Sequence, residues 1–218
     1  GNRLNQTKGT VSTAYTYDRA DRVQTVGGTT YTVNANGNLT SDGTNTYTYD
    51  QENRMASAVV GSTTSTYTYD GDGKRTKKVV GSTTTNYAYD ANRSLPVVLT
   101  DGTLKYVYGL GLAYAVDGSA NVQVYHADGL NSVRAVTDGS GNLTQTFQTD
   151  EFGVPALTQG TSTEPFRYTG QRLDSETSFY DLRARYYWPT LGRFMSRDLL
   201  FGSSTNPLAL NRFAYVIN

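Results

Sequence analysis

The chain has 218 residues, a formal net charge of zero and no cysteine. The balanced charge gives no sign of nucleic acid or a membrane surface as a partner, and the lack of cysteine excludes disulfides and thiolate metal sites. No apolar run approaches the ~20 residues that a membrane-spanning helix needs. With 18 tyrosines, 22 glycines and many threonines, asparagines and aspartates, the composition is typical of strands and tight turns. It predicts an all-β, antiparallel fold.

A Tyr-x-Tyr-Asp signature recurs through the first half of the chain. Its copies read AYTYD, TYTVN, TYTYD, TYTYD and NYAYD and end at residues 18, 34, 50, 70 and 90, so that the steps are 16, 16, 20 and 20 residues. Weaker echoes follow at residues 106–109, 125–128 and 147–150. A recurring period of this kind indicates a row of similar structural units.

Each copy predicts a strand, a turn and a second strand. Alternation places the rings of Tyr67 and Tyr69 on one face of a strand, and Asp70 can end that strand by accepting backbone N–H groups ahead of it. Three positions after the signature residue comes a residue type that tolerates a positive φ: Asp21, Gly37, Asn53 or Gly73. Asn92 comes early in the Asp90 copy, which leaves the geometry of that turn open.

The far ends of the hairpins carry short glycine turns. Gly27-Gly28, Gly61-Ser62 and Gly81-Ser82 stand between valine and threonine runs, which is the spacing of two-residue hairpin loops. A single hairpin is marginal in water. We therefore expect the hairpins to pair side by side, and the first strand to have an unpaired edge that leads either to self-association or to stabilisation by repeats further upstream.

The repeated tyrosines and aspartates are predicted to be structural. The set comprises Tyr17, Asp18, Tyr49, Asp50, Tyr69, Asp70, Tyr89 and Asp90. Tyrosine rings bury a large area while the hydroxyl keeps a polar partner. A binding surface for glycans or a protein is the alternative reading, but regular spacing in every repeat favours architecture over a ligand site.

The second half of the chain carries longer and more specific motifs. YHADGLNSVRAVTDGSGNLTQTFQTDEFG, FRYTGQRLDSETSFYDLRARYYWPTLGRFMSRD and NPLALNRFAYVIN, together with the repeats, resemble the YD-repeat or RHS-repeat proteins and their C-terminal RHS-associated core. The resemblance implies a YD-repeat region over residues 1–120, the core over 121–202, and a tail over 203–218 that leads to a downstream segment.

In that family, which includes Tc-toxin subunits, polymorphic toxins and teneurins, the repeats wind into a hollow, spiral β-shell. The resemblance implies that this chain is a structural part of such a shell, secreted or at the cell surface. Its partners would be upstream YD repeats and a C-terminal toxin or effector domain that the shell encloses. No cofactor is implied.

Some members of the family cut themselves after the core with a pair of aspartates, the first of which follows an arginine. Two close carboxylates can share a proton and activate water. Arg197 and Asp198 match the first half of that pair, but the Asp-Pro-x-Gly pattern then degrades, and the second aspartate would lie past Asn218. We therefore expect Asp198 to be structural and the chain not to act as an enzyme as given, with an autoprotease as the alternative.

Two further features suggest ligands but have simpler explanations. His126 has no second histidine or acidic cluster in its sequence neighbourhood, so we expect hydrogen bonds near Asp128 rather than a metal. The loop at residues 138–142 resembles a calcium loop but lacks the closing glutamate, and a hairpin turn is expected.

A strand is predicted through the LRARYY segment. It would place Arg183, Arg185 and Tyr187 on one face. The arginines are expected to pair with Asp174, Glu176, Asp181 or Asp198 and hold the core against the wall; gripping cargo or phosphate is the alternative.

Overall fold

A computed structural model gives the architecture and describes residues 2–93, 95–160, 164–200, 202 and 207–215. The described residues form 23 strands and two short 3-10 turns, Tyr168–Gly170 and Pro207–Leu210. The strands are β1 (Asn5–Lys8), β2 (Val11–Tyr17), β3 (Val23–Val26), β4 (Thr29–Thr30), β5 (Thr32–Val33), β6 (Leu39–Ser41), β7 (Thr46–Tyr49), β8 (Met55–Val60), β9 (Thr63–Tyr69), β10 (Arg75–Val80), β11 (Thr83–Asn86), β12 (Ala88–Asp90), β13 (Val97–Thr100), β14 (Leu104–Tyr108), β15 (Leu112–Asp117), β16 (Val122–Ala127), β17 (Val133–Asp138), β18 (Leu143–Thr149), β19 (Pro155–Gly160), β20 (Arg172–Asp174), β21 (Phe179–Asp181), β22 (Tyr186–Trp188) and β23 (Arg193–Phe194). The predicted all-β, antiparallel fold is confirmed.

The first 19 strands form one ribbon in which strands pair with their neighbours along the chain, except that β4 with β5 and β11 with β12 are consecutive segments that do not pair with each other. Three sheets of four, seven and eight strands make up this ribbon. They join at Tyr31, which separates β4 from β5, and at Tyr87, which separates β11 from β12. The N–H of Tyr87 still donates to the carbonyl of Thr76 at 2.9 Å, so the pairing continues across the interruption.

The signature turns have the predicted geometry. Asp50 accepts the backbone N–H groups of Glu52 and Arg54 on Oδ1, at 3.1 and 2.8 Å. The predicted positive φ is found three positions after the signature residue, at Asp21, Gly37, Asn53 and Gly73. The same turn recurs after Asp117, Asp128, Asp138 and Asp150. In the shorter Asp90 copy the carboxylate accepts from the N–H of Asn92 at 3.1 Å and from Arg93 Nε at 3.2 Å.

Two-residue loops close the opposite ends of the hairpins, also as predicted. Gly61 lies between β8 and β9 with φ +59°, and Gly81 lies between β10 and β11 with φ +56°. A positive φ is accessible to glycine without the clash that a Cβ atom brings, which explains its place in these loops.

In most units of the ribbon, the aromatic residue that stands three positions before the turn is buried on the inner face; Tyr114, three positions before Asp117, is an exception and is 38% exposed. The buried set is Tyr15, Tyr47, Tyr67, Tyr87, Tyr106, Tyr125 and Phe147. Intervening residues such as Thr48 and Thr68 point to solvent, because successive side chains in a strand alternate between faces. The ribbon is therefore a wall with an apolar inside and a polar outside.

The chain after β19 turns in against this wall. Strands β20 to β23 form a separate four-stranded sheet, which we call the core sheet. Its Phe179 and Tyr186 belong to the same buried cluster as Tyr15, Tyr47 and Tyr67 of the wall. The boundary predicted at residues 120 and 121 falls inside the ribbon, between β15 and β16.

The ribbon curls until its two ends approach each other. Lys8 Nζ of β1 lies 3.4 Å from Asp150 Oδ2 after β18, and the guanidinium of Arg3 lies 4.2 Å from the ring centroid of Phe152. Among the described residues, β1 and β19 each pair with one neighbour only. The curled ribbon therefore has two open edges.

The strand predicted through Arg183 and Arg185 is wrong. Leu182 donates its N–H to the carbonyl of Arg185 at 3.1 Å, and Ala184 donates to the carbonyl of Leu182 at 2.8 Å. Arg183 lies at the tip of this tight turn with φ +64°. Because β22 begins only at Tyr186, Arg183, Arg185 and Tyr187 do not share a strand face.

Candidate functional site

The contact between the wall and the core sheet is the candidate functional site, because here the returning segment packs against the inner face of the wall. Aromatic rings fill most of it. The ring centroids of Tyr47 and Phe179 are 5.5 Å apart, and those of Tyr67 and Tyr186 are 5.4 Å apart. Trp188 packs on Phe179 at 5.1 Å. Such pairs add to the free energy of burial and fix relative orientation.

A buried cluster of charged groups crosses this contact. Arg75 of β10 pairs with Asp174 of β20, and its NH2 group lies 3.1 Å from Asp181 Oδ2. The same guanidinium donates to the hydroxyl of Tyr186 at 2.6 Å. Both Arg75 and Asp174 have side chains that are only 2% exposed. The wall therefore supplies the cation and the core sheet supplies the anions.

Lys78 of β10 extends the cluster. Its ammonium lies 2.9 Å from Asp174 Oδ1 and 3.0 Å from Glu176 Oε1. Burial by itself would raise the pKa of Asp174, but Arg75 and Lys78 outweigh burial and hold that pKa below its usual value. Asp174 is therefore ionised in the folded protein at neutral pH.

This charged cluster specifies position more than it adds stability. Desolvation offsets much of the attraction within a buried ion pair, whereas loss of one partner leaves a buried charge uncompensated. Sliding β10 by one residue would turn Arg75 to the other face of the ribbon. The cluster therefore favours a single register between the wall and the core sheet.

Arg172 makes a second contact between the core sheet and the wall. Its NH2 group lies 3.3 Å from Asp101 Oδ2, and its guanidinium lies 5.0 Å from the ring centroid of Tyr87 and 5.1 Å from that of Phe166. Burial would raise the pKa of Asp101, but hydrogen bonds from Tyr106 and Leu104 and the charge of Arg172 lower it. Arg172 thus joins β20 to the turn between β13 and β14.

Glu164 is a buried carboxylate at the point where the chain enters the interior. It accepts hydrogen bonds from the hydroxyl of Tyr125 and from the N–H of Phe166, the latter at 3.0 Å. Burial raises the pKa of Glu164 above its usual value in spite of these donors. The pKa of Glu164 is therefore shifted in the opposite direction to that of Asp174.

Arg193 anchors the end of the core sheet. Its guanidinium donates to the carbonyl of Asp21, and it lies 4.9 Å from the ring centroid of Tyr17 and 4.6 Å from that of Phe213. Each of the three arginines Arg75, Arg172 and Arg193 is buried among aromatic rings. Guanidinium groups suit such positions because they stack on rings and are only weakly hydrated.

Asp198, the predicted first carboxylate of a cleavage pair, is engaged in two contacts. Its Oδ2 accepts from Arg185 NH2 at 2.7 Å, and its Oδ1 accepts from the N–H of Leu200 at 2.9 Å. Arg197 lies against the wall, where a Cβ atom on Gly37 would come within 2.8 Å of its side chain. Of the predicted arginine–carboxylate pairs, the structure contains Arg185 with Asp198.

Arg183 is directed elsewhere. Its Nε donates to the carbonyl of Pro96 at 2.8 Å, and its NH1 group donates to Gln171 Oε1 at 3.3 Å. Asp174, Glu176 and Asp181, which were expected to bind the arginines of the LRARYY segment, bind Arg75 and Lys78 instead. The predicted role of holding the core against the wall is thus performed by cations of the repeat region.

The signature tyrosines face the interior of the ribbon. Tyr17, Tyr49, Tyr69 and Tyr89 are half-buried. Tyr69 donates its hydroxyl proton to the carbonyl of Met55 at 2.8 Å, and Tyr89 donates to that of Arg75 at 3.0 Å. Tyr187 is buried and donates to the carbonyl of Phe152 at 2.8 Å. Tyr17, Tyr49, Tyr69 and Tyr89 pack against the buried hydrophobic residues of the ribbon.

No site for a metal is found among the described residues, which contain no group of three or more histidine, cysteine, aspartate or glutamate side chains suited to an ion. His126 is exposed, and its Nε2 lies 3.1 Å from Thr137 Oγ1 on the paired strand. The loop after Asp138 is a signature turn. In the part of the chain that the structure describes, no helix has the length and apolar character to cross a membrane.

Sequence reasoning missed Arg75, although the repeat contains a signal for it. The residue five positions after the signature residue is Val23, Leu39 or Met55 in three of the other four copies, and each of these is buried; the shorter copy that ends at Asp90 has Leu95, which is exposed. The copy that ends at Asp70 has Arg75 in the same place. A charged residue at an apolar position of a repeat indicates a buried partner.

The sequence matches the teneurin YD-shell family over residues 1–218. It is 34% identical over 193 residues to the tRNA3(Ser)-specific nuclease WapA of Bacillus spizizenii, a match that covers 83% of this chain and 8% of that protein. It is 32% identical over 102 residues to the toxin protein Tse5 of Pseudomonas aeruginosa, covering 46% of this chain and 7% of that protein. The chain thus spans less than a tenth of the length of these relatives.

Solved structures share the fold. The Tc holotoxin pore of Photorhabdus luminescens matches 95% of this chain and 12% of its own with a TM-score of 0.66 and 17% identity. The TcdB2-TccC3-Cdc42 complex matches 95% of this chain and 13% of its own with a TM-score of 0.64 and 18% identity. The curled ribbon described above is therefore the fold of a toxin β-shell segment.

Proposed function

The chain belongs to the teneurin YD-shell family, and on that basis we propose that it is the end segment of a β-shell that encloses a C-terminal toxin or effector domain. The observation that carries the proposal is the buried ionic contact of Arg75 and Lys78 with Asp174. That contact fixes the returning chain inside the curled wall. A core held in this way closes one part of the interior, which is what an enclosing shell requires.

The partners follow from the same reading. The open edge of β1 has backbone groups available for another strand, and we assign it to upstream YD repeats. The downstream partner is a toxin or effector domain, because the curated relatives carry the names of toxins and nucleases. The full protein would be secreted or lie at the cell surface. Its shell would be structural and have no turnover of its own.

Limited proteolysis of the full-length protein tests enclosure. We expect the downstream segment to resist protease while the shell is intact, and to become sensitive when Arg75→Met is combined with Lys78→Ala. Lys77→Ala is the matched control, because Lys77 lies on the outer face of the same strand. Equal cleavage rates for parent, double variant and control, with the shell still folded, would contradict enclosure.

A second proposal is that Asp198 takes part in self-cleavage once a second carboxylate is supplied from downstream. It is favoured by the position of Asp198 at the end of the core region, beside Arg197. In the observed arrangement both oxygens of Asp198 accept hydrogen bonds, which suits a turn and ion-pair role for this stretch by itself. The two roles are separated by the cleavage experiment described in the Discussion.

A further inference from the structure

An open groove lies between the wall, at the end where the signature turns are, and the segment that returns against it. Its volume is about 610 Å³. The turn before β13 and the loop between β14 and β15 form one side, and residues 169–171 with Arg183 form the other. We call it the Arg93–Arg183 groove, after the two charged side chains that line it.

The lining combines apolar walls with cations. Leu95, Leu110 and Val133 are among the apolar residues, and Leu95 is 65% exposed while Leu110 is fully exposed. Large exposed apolar side chains grouped along a groove are more typical of a binding surface than of the remaining solvent-exposed surface of a protein. No aspartate or glutamate is present among the residues that line the groove. An anion with apolar neighbours is the complementary occupant.

The two arginines differ in how far they are already engaged. Arg93 lies 3.2 Å from Asp90 Oδ2 at the surface, so part of its charge is offset. The Arg183 contacts to Pro96 and Gln171 are to neutral oxygens, and they use two of the five N–H donors of its guanidinium. Arg183 therefore has donors left for a carboxylate.

A neighbouring groove of about 580 Å³ shares Arg93, Leu95 and Arg183 with the first. Two aspartates also line it, but Asp72 is paired with Lys74 and Asp181 with Arg75, so that its unpaired charge is positive. The two recesses therefore lie side by side with Arg183 at their common border. Such an elongated surface fits an extended chain better than a compact small molecule. Guanidinium groups set among apolar side chains fit a peptide that carries carboxylates between leucine-like side chains.

We propose that the Arg93–Arg183 groove is a docking site for an extended segment of a partner polypeptide that carries aspartate or glutamate between leucine-like residues. Arg183 binds a carboxylate of that segment, and Leu95 and Leu110 cover its apolar side chains. Charge complementarity is the argument for this occupant. The tight turn at Leu182 holds Arg183 at a positive φ, and its side chain bonds to Pro96 and Gln171.

Fluorescence anisotropy with two defined probes tests the proposal on the 218-residue chain. The first probe is the labelled, end-capped peptide Leu-Glu-Leu-Asp-Leu-Glu-Leu, and the second replaces each acid by its amide. We expect the acidic probe to bind at least tenfold more tightly, and the difference to shrink as salt is raised. Equal affinity for both probes, or binding of neither, overturns the proposal.

Variants identify the groove as the site. Arg183→Gln should weaken binding of the acidic probe about tenfold. Arg19→Gln removes the same charge from an exposed turn of the wall and should change nothing. Thermal melts verify that both variants are folded. Unchanged binding by folded Arg183→Gln overturns the proposal. So does a chain dimer, seen by sedimentation, that Arg183→Gln abolishes, since the occupant would then be a second copy.

Discussion

Arg75 and Asp174 are separated by 99 residues in the sequence and form an ion pair at the centre of the contact between wall and core sheet. The strand that carries Arg75 belongs to the repeats, whereas Asp174 belongs to the segment that returns into the interior. Between the two lie nine strands of the ribbon, β11 to β19. A contact over this distance can form only after the ribbon has curled.

Replacing Arg75 by methionine, the residue found at the equivalent Met55, should destabilise the fold by about 3–5 kcal/mol. The reason is that Asp174 and Asp181 would keep buried charges with only part of their compensation. Chemical denaturation measures the change. Lys77→Met on the outer face of β10 is the control and should stay within ~0.5 kcal/mol of the parent. A cost below about 1 kcal/mol for Arg75→Met would show that the cluster is solvated.

The pH dependence should follow the lowered pKa values of Asp174 and Asp101. A carboxyl whose pKa is lower in the folded than in the unfolded state stabilises the fold above its unfolded value, about 3.9 for aspartate. We therefore expect the free energy of unfolding to fall as pH decreases below about 4. Asp101→Asn should reduce that fall. Urea titrations at several pH values between neutral and strongly acidic check this, and an unchanged slope in Asp101→Asn would count against it.

Glu164 should act in the opposite direction. Its pKa is raised in the folded state, so folding favours its protonated form, and that contribution is lost as pH rises from the unfolded value of about 4.3 through the folded pKa. Glu164→Gln should therefore gain stability relative to the parent as pH rises above about 4.3. Melting temperatures on both sides of this range give the comparison. The exposed Glu151→Gln is the control, and identical trends in the two variants would exclude the predicted role.

The repeat made much of the wall predictable. Alternating Tyr-x-Tyr pairs gave the strand faces, and the positive φ at Asn53 and Gly73 follows from residue types that tolerate it. These features depend on neighbours in the sequence, so they can be derived locally. The curl of the ribbon and the separate core sheet depend on contacts between distant residues, and the expectation of a shell came from resemblance alone.

The candidate site was less predictable for a physical reason. The alternation of Arg183 and Arg185 with apolar residues is typical of a strand. In the structure, however, the N–H of Arg183 donates to Asp181 Oδ1 at 2.9 Å, and this bond starts a turn. An Asx-type bond of this kind competes with strand pairing. Arg75, in contrast, stands in a regular strand, and only comparison with Val23, Leu39 and Met55 distinguishes it. The informative signal was a deviation within the repeat rather than a motif.

The signature turns should differ in their contribution. Asp50 accepts two backbone N–H groups and also Arg54 Nε at 2.7 Å. Asp70 accepts the two corresponding backbone N–H groups, but its cation partner Lys74 lies farther away, at 3.6 Å. Each aspartate replaced by alanine should cost on the order of 1 kcal/mol, with the larger loss at Asp50. Asp50→Asn keeps the acceptor for the turn and should cost less than Asp50→Ala. Melts of all three variants that coincide with the parent would show that these side chains are merely solvated.

The last prediction concerns Asp198. Its carboxylate bonds to Arg185 and to the N–H of Leu200, and both contacts lie at a partly exposed site, where an ion pair contributes at most about 1 kcal/mol. We therefore expect Asp198→Asn to leave the stability of the 218-residue chain nearly unchanged, and we expect neither form to cleave itself at mild pH. In the full-length protein, where a second carboxylate can be supplied, the same substitution should block release of the downstream segment. Gel electrophoresis of both forms over time decides between the two roles, with Arg19→Gln as a charge-changing control. Cleavage of the 218-residue chain that Asp198→Asn abolishes would falsify the structural assignment and make the core an autoprotease.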